Sequence, residues 1–235
     1  MGEGPPKDST FDSYAADYER TLQQGLQLSG ESADYFARGR VEWLALGLRQ
    51  RQVRVRSVLD FGCGTGSAIP YLHDILGVER IVGVDTSKAA LERAAREHAG
   101  RPASFATPGE FQARGEFDLA FSNGTFHHIP PGERAAAMEL IARALRPGGL
   151  LALWENNPWN PGTRWVMRRI PFDHDAIPLS APAARRMVGA AGFEILGTDF
   201  LFVFPRALRA LRPLEPWVAR LPLGAQYQVL ARRTG

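Results

Sequence analysis

The residues best equipped for chemistry lie between positions 58 and 66, in the run Val58-Leu59-Asp60-Phe61-Gly62-Cys63-Gly64-Thr65-Gly66. An apolar stretch runs into three alternating glycines, and a helical pattern follows. Glycine lets bare backbone approach a ligand closely, and amides at a helix start can donate hydrogen bonds to it. Downstream, Ile81-Val82-Gly83-Val84 ends in Asp85, 19 positions after Gly66. A carboxylate there can accept hydrogen bonds from both hydroxyls of a ribose, which points to a nucleoside or nucleotide. Asp60 narrows the choice. The glycine spacing is G-x-G-x-G rather than the G-x-G-x-x-G of dinucleotide sites, and an acid just before it would repel a pyrophosphate but suits an ammonium group. An ammonium at Asp60 and a ribose at Asp85 describe S-adenosylmethionine better than NAD, which argues against an NAD-dependent oxidoreductase.

Holding these groups together requires strands that end at the loop. The hydrophobic pattern predicts strands over 57–61, 80–84, 103–106, 117–122 and 150–154, alternating with helices over 67–76, 87–98 and 133–145. Thr86 or Ser87 can cap the second of these helices, and the turn Arg146-Pro147-Gly148-Gly149 leads into the strand at 150. Such alternation implies βαβ units and a parallel sheet covered on both faces. Helices over 11–22 and 34–48 are expected ahead of this core, and a helix to 191 with strands over 194–204 and 226–231 after it. Two connections exceed what an α/β unit needs, 156–179 and 205–224. The second carries Leu208, Leu211, Leu214, Val218 and Leu221 at near-helical spacing, an apolar stripe expected to pack on the domain rather than lie on lipid or a partner.

The strings VLDFGCGTG, IVGVDTS, FDLAFSNGTFHHIP and ALRPGGLLALWE resemble, in order, the motifs of the class I S-adenosylmethionine-dependent methyltransferases, over about residues 55–155. The resemblance implies an α/β, Rossmann-like seven-stranded sheet in the order 3-2-1-4-5-7-6 with strand 7 antiparallel. It also implies a single domain in which 1–54 form a helical cap, 55–155 the cofactor-binding half, and 156–235 the acceptor-side loops and last strands. By the family pattern Gly62, Cys63 and Gly64 line the methionine portion of the cofactor, Asp85 holds the ribose, and Thr86 lies beside the adenine, with Asp60 and Gly66 also expected to bind the cofactor. Ser122, Asn123 and Gly124 close the site below the sulfonium, with His127 packing on the cofactor loop. The acid that many members place after strand 3 is missing, and Thr107 stands nearby as a substitute. The N-terminal FDSYAADYE resembles the helix that folds over the cofactor in the small-molecule branch, with Tyr18 near the transferable methyl and Tyr14 one turn earlier on the same face.

Methyl transfer from a sulfonium is an in-line displacement in which holding the acceptor matters most, and a base matters when the acceptor carries a proton. Tyr18 is expected to orient the acceptor, and His128, after strand 4, to act as a base. Glu155 follows an apolar run and is expected to point into the acceptor cavity, with Asn156, Trp159, Asp173 and Asp175 continuing that wall. Acids beside indoles suit an amine-bearing or N–H-bearing aromatic acceptor. Arg38 and Arg40 are candidates for the methionine carboxylate. The two histidines have no third ligand at metal spacing, so no metal site is expected, and Cys63 reads as a small filler of the loop.

Composition bounds the rest. A chain of 235 residues with 45% hydrophobic and 23% charged residues suits one globular domain and excludes disordered and fibrous classes. One cysteine excludes a disulfide framework and suits a reducing compartment. No apolar run nears the roughly 18 residues that span a bilayer, and the N-terminus lacks a hydrophobic signal core, so a cytoplasmic protein is expected. All 28 basic residues except Lys7 and Lys88 are arginine. Residues 1–150 carry 17 basic against 19 acidic side chains, net −2, and the remainder 11 against 6, net +5. The expected activity is methylation of a nitrogen, oxygen or activated carbon of a small, partly aromatic molecule, with S-adenosylhomocysteine as coproduct, by a monomer or homodimer. The absence of an appended recognition module argues against a nucleic-acid acceptor. The alternatives are an acceptor in RNA or at a protein terminus, read by the arginine-rich C-terminal part, and a cofactor-binding partner subunit without turnover.

Overall fold

The structure, a computed structural model, describes residues 30–170 and 176–235. Tyr14, Tyr18, Asp173 and Asp175 lie outside the described residues, as does the helix expected over 11–22.

Helix α1, Ala33–Gln50, begins at Ser32, whose hydroxyl accepts the Tyr35 N–H at 3.1 Å, and it buries Phe36, Val41, Leu44 and Leu48. Strand β1 (Ser57–Phe61), helix α2 (Ile69–Leu76), β2 (Arg80–Val84), α3 (Lys88–Glu97) and β3 (Ala103–Ala106) follow in alternation. Ser87 caps α3 by accepting the Ala90 N–H at 3.2 Å. Then come β4 (Phe117–Asn123), α4 (Arg134–Ala144), β5 (Leu145–Asn156), α5 (Pro161–Met167), α6 (Ala181–Ala190) and β6 (Phe193–Leu201). A 3₁₀ helix over Arg206–Leu214, the short α7 (Glu215–Val218) and β7 (Gln226–Arg233) complete the chain.

The seven strands form one sheet in the order β3-β2-β1-β4-β5-β7-β6. β1 to β5 pair in parallel, and β7 runs antiparallel to both β5 and β6. The central strands are apolar on both faces because both faces are covered. On one side Val58, Ile81, Leu119 and Trp154 pack with Val41, Leu44, Ile69 and Leu72 of α1 and α2. On the other Leu59, Ala120, Leu151 and Leu153 pack with Met138, Ile141, Ala184 and Val188 of α4 and α6. The parallel strands therefore end together on one edge, at the crevice where chain order reverses between β1 and β4.

Three expectations about elements need correction. β5 starts five residues early, and the Arg146–Gly149 turn lies inside it, where the pairing with β4 shifts between Phe117 and Leu119. β6 stops at Leu201 because Phe202 turns to φ +62°. The apolar stripe of 205–224 does not pack on the domain: neither the 3₁₀ helix nor α7 buries a residue.

Candidate cofactor and acceptor site

The loop after β1 is held by glycines that have different reasons to be glycine. Gly62 takes φ +73°, and a Cβ on it would lie 2.1 Å from Thr125 Oγ1; its N–H donates to the Val84 carbonyl at 2.7 Å. Gly66 takes φ +79° against the His98 ring. Gly64 takes φ +52° with nothing within 4 Å of where a Cβ would be, so its backbone faces open space. The Gly64 N–H donates to Asp85 Oδ2 at 2.8 Å, and the Ser87 N–H donates to Asp85 Oδ1 at 2.9 Å. One carboxylate thus ties the glycine loop to the start of α3, at the tip of β2.

Asp60 is 3% exposed, and its Oδ2 has no partner among the described residues. Burial, and then the nearby Asp85 carboxylate, push its carboxyl up to about 7. A buried, unsatisfied acid of this kind calls for a cation. Cys63 is buried, and burial raises its thiol well above the ordinary range, the opposite of an activated nucleophile. Thr86 is exposed, and the Thr107 hydroxyl donates to Glu110 Oε2 at 2.7 Å, which closes a local turn.

Beyond the glycine loop opens a cavity of about 760 Å³. Thr65, Asn123, Gly124, His127 and His128 line it from the strand ends, Tyr35 and Arg40 from α1, and Met167 and Ile170 from α5 and the residues after it. Its polar edge is a chain of three side chains: Arg40 Nε donates to Gln226 Oε1 at 2.9 Å, and Gln226 Nε2 donates to Asn156 Oδ1 at 3.2 Å. Tyr71 lines the outer part, where its hydroxyl bonds Asp34; burial and that bond push the phenol up to about 12.

His127 Nδ1 lies 2.6 Å from Glu155 Oε2, and Glu155 Oε1 accepts the Phe126 N–H at 2.8 Å. The two side chains are 3% and 0% exposed. A carboxylate in that position selects the tautomer with hydrogen on Nδ1 and leaves Nε2 as the proton-accepting nitrogen. The rings of His127 and His128 are 4.1 Å apart.

Several expected site residues sit elsewhere. Glu155 does not reach the cavity: strand alternation puts it on the same face as Leu151 and Leu153, beneath the β4–α4 loop, so it acts on His127 rather than on an acceptor. Asn156, one residue on, turns to the opposite face and does line the cavity. Trp159 is outside the lining, 52% exposed, with its ring stacked 6.4 Å from Phe200. Ser122 is fully buried behind Asn123, its hydroxyl without a partner among the described residues. Arg38 pairs with Glu42 at 2.8 Å on the surface, whereas Arg40 reaches the cavity. Gln226, Tyr35, Met167 and Ile170 were not singled out by the sequence; they belong to no local motif and meet only when the chain folds.

An open, mostly parallel sheet with a glycine loop at its switch point and a reversed terminal hairpin defines the Rossmann-like class of nucleoside-binding α/β domains. Comparison with known proteins makes this specific. Residues 58–149 match the family model described as a methyltransferase domain. Trans-aconitate 2-methyltransferase of Methylobacterium nodulans is 32% identical over 133 residues, covering 55% of this chain and 50% of that protein. Ribosomal protein L11 methyltransferase of Pseudomonas aeruginosa is 38% identical over 120 residues, 48% of this chain and 36% of that one. Among solved structures, the complex between the Haloferax volcanii Trm112 methyltransferase activator and a methyltransferase aligns with a TM-score of 0.65 at 20% identity, over 98% of this chain and 100% of that one. Residues 58–149 are thus similar to a methyltransferase domain, and the sheet that carries them has the fold of S-adenosylmethionine-dependent methyltransferases. It spans about half the length of the curated relatives it matches. Among the described residues, no helix is long and apolar enough to cross a membrane.

Proposed function

We propose that the chain moves a methyl group from S-adenosylmethionine to a nitrogen, oxygen or activated carbon of a small, partly aromatic molecule held in the cavity of about 760 Å³. The observation that carries this reading is a junction. Asn123 and Gly124 lie at the end of β4, between the glycine loop with its two acids and the cavity beyond. A cofactor held at Asp60 and Asp85 would share that wall with an acceptor in the cavity.

The family's cofactor fits the residues present. Asp60 offers an unsatisfied buried carboxylate to an ammonium, Gly64 leaves room for the methionine portion, and Asp85 stands where the ribose hydroxyls lie in this fold. When bound, S-adenosylmethionine supplies a methyl already activated by its sulfonium. The protein's own contribution is to hold the acceptor in line with that methyl, and apolar walls with a polar Arg40–Gln226–Asn156 edge suit an amphipathic ring compound. His127, steadied by Glu155, receives the proton that an O–H or N–H acceptor gives up. The relative named for trans-aconitate supports a small acceptor.

Transfer of a tritiated methyl from S-adenosylmethionine into a metabolite extract, with identification of the labelled product, tests the reading. Label in a small molecule is expected. Label in RNA or protein would move the acceptor to a macromolecule, and cofactor binding without transfer would make the chain a partner subunit.

A further inference from the structure

The segment between β6 and β7 carries six of the nine exposed large hydrophobic side chains among the described residues. Leu208, Leu211, Leu214, Trp217, Leu221 and Leu223 are 42% to 85% exposed, Trp217 the most. A 3₁₀ helix turns once in three residues, so side chains at that interval stand in one row. Leu208 sits at a kink of the helix, and Leu211, Leu214 and Trp217 continue the interval beyond it. An apolar row of this kind, standing clear of the core, marks an interaction surface rather than a folding element.

Its charge is mostly positive. Arg206, Arg209, Arg212 and Arg220 lie on the segment against a single acid, Glu215. Glu215 is turned inward, with Oε1 accepting the Val203 and Phe204 N–H groups at 2.9 and 3.2 Å. Arg212 is tucked over the Tyr35 ring and paired with Glu31 at 2.7 Å. Arg206 is exposed but lies against Gly30 and donates to its carbonyl at 3.4 Å, Arg209 is exposed, and Arg220 stays two-thirds exposed while it pairs with Asp199 at 3.3 Å. The outward face therefore presents leucines, one tryptophan and arginines, with no acid of its own.

We infer that this segment docks the domain on an anionic lipid surface. Arginine-rich polar edges with leucine and tryptophan on the adjoining face are the pattern of helices that lie in a membrane interface, where the arginines meet lipid phosphates and the indole sits at headgroup level. The segment is interrupted by Pro213, Pro216 and Pro222, so it offers no strand edge to a peptide, whereas a bilayer requires none. Val203, Phe204 and Pro205, which lead into the segment, line the acceptor cavity. Docking by this face brings that rim of the cavity to the lipid. The inference stands apart from the methyl-transfer reading, since adsorption requires no turnover.

Co-sedimentation of the full chain with phosphatidylcholine vesicles, with and without about 30% phosphatidylglycerol, tests it. Partitioning is expected to rise at least ten-fold on the anionic vesicles and to fall in high salt. A Leu211→Gln/Leu214→Gln/Trp217→Gln variant should lose it, and Arg206→Gln/Arg209→Gln should lower it by about five-fold per arginine. Both variants should keep the parent's cofactor affinity and unfolding midpoint. Where the triple variant fails to fold, Trp217→Gln alone, at a site 85% exposed, serves, with at least a three-fold loss expected. No preference for anionic vesicles, or a preference unchanged by these substitutions, overturns the inference. So does concentration-dependent self-association abolished by the triple variant, because the face would then join two copies of the chain.

Discussion

The protonation of Asp60 should govern how the cofactor binds as pH changes. An ammonium pairs with the ionised carboxylate, but in the unliganded protein burial and the Asp85 charge hold that carboxyl up to about 7. Binding then has to displace a proton. With a value of about 7, roughly half the molecules are ionised at pH 7 and roughly one in a hundred at pH 5, so the apparent Kd rises about fifty-fold between them, about 2.3 kcal/mol. The stability of the free protein moves the other way. Between about 4, where the unfolded acid titrates, and about 7, the folded state holds a proton that the unfolded state lacks, so stability falls as pH rises through that window, by up to about 4 kcal/mol. Above it the loss is complete and constant, and there the stabilisation by cofactor is largest. Isothermal titration with S-adenosylhomocysteine at pH 5, 6 and 7, each in two buffers of different ionisation enthalpy, reads both the affinity and the protons released, about half a proton per site at pH 7 and about one at pH 5. Asp60→Asn should bind weakly and almost independently of pH. A native Kd that changes less than about three-fold from pH 7 to 5, or an Asp60→Asn protein that keeps the full dependence, would refute the assignment of the ammonium to Asp60.

Other substitutions separate the parts of the site. Asp85→Ala removes the acceptor for the Gly64 and Ser87 N–H groups and should weaken cofactor binding by more than about 1 kcal/mol; an unchanged titration would mean that the ribose is held elsewhere. Gly62→Ala forces a Cβ to 2.1 Å from Thr125 at φ +73° and should lower stability by about 2 kcal/mol or more, seen as a lower denaturant midpoint. Gly64→Ala meets no atom, so it should cost only about 1 kcal/mol of stability while weakening the cofactor, and a normal affinity would show that the open space beside Gly64 is not cofactor space. Glu155→Gln still offers an oxygen to the Phe126 N–H but presents an amide to His127 Nδ1, reversing the ring's preferred tautomer. Turnover should fall by about 10² or more and its pH profile should shift, with cofactor Kd unchanged. Equal losses in both would place Glu155 with the cofactor instead.

The difference between what could and could not be read in the chain follows from the range of the forces involved. β1, β2 and β3 have the bounds expected from pattern because each is a short, mostly apolar run ended by a charge, a turn or a glycine, and the loop after β1 takes its shape from its own glycines. The positions of Asp60 and Asp85 were legible for the same reason: each stands at the end of its own strand. Glu155 was misplaced although the signal for its true direction was present. Counting by two from Leu151 and Leu153 puts Glu155 on the α4 face and Asn156 on the cavity face, and only the apolar run before it suggested otherwise. The 205–224 stripe failed on period, since intervals of three along Leu208, Leu211 and Leu214 fit a 3₁₀ row as well as an α-helical face, and Pro213 disfavours the latter. The acceptor cavity is a different matter. Arg40 and Gln226 are 186 positions apart and meet because β7 inserts beside β5, bringing Gln226 opposite Asn156. That reversed insertion came from the likeness to a family, not from any local pattern. The side chains that would choose the acceptor therefore depend on the one feature of the topology that the residues themselves do not spell out.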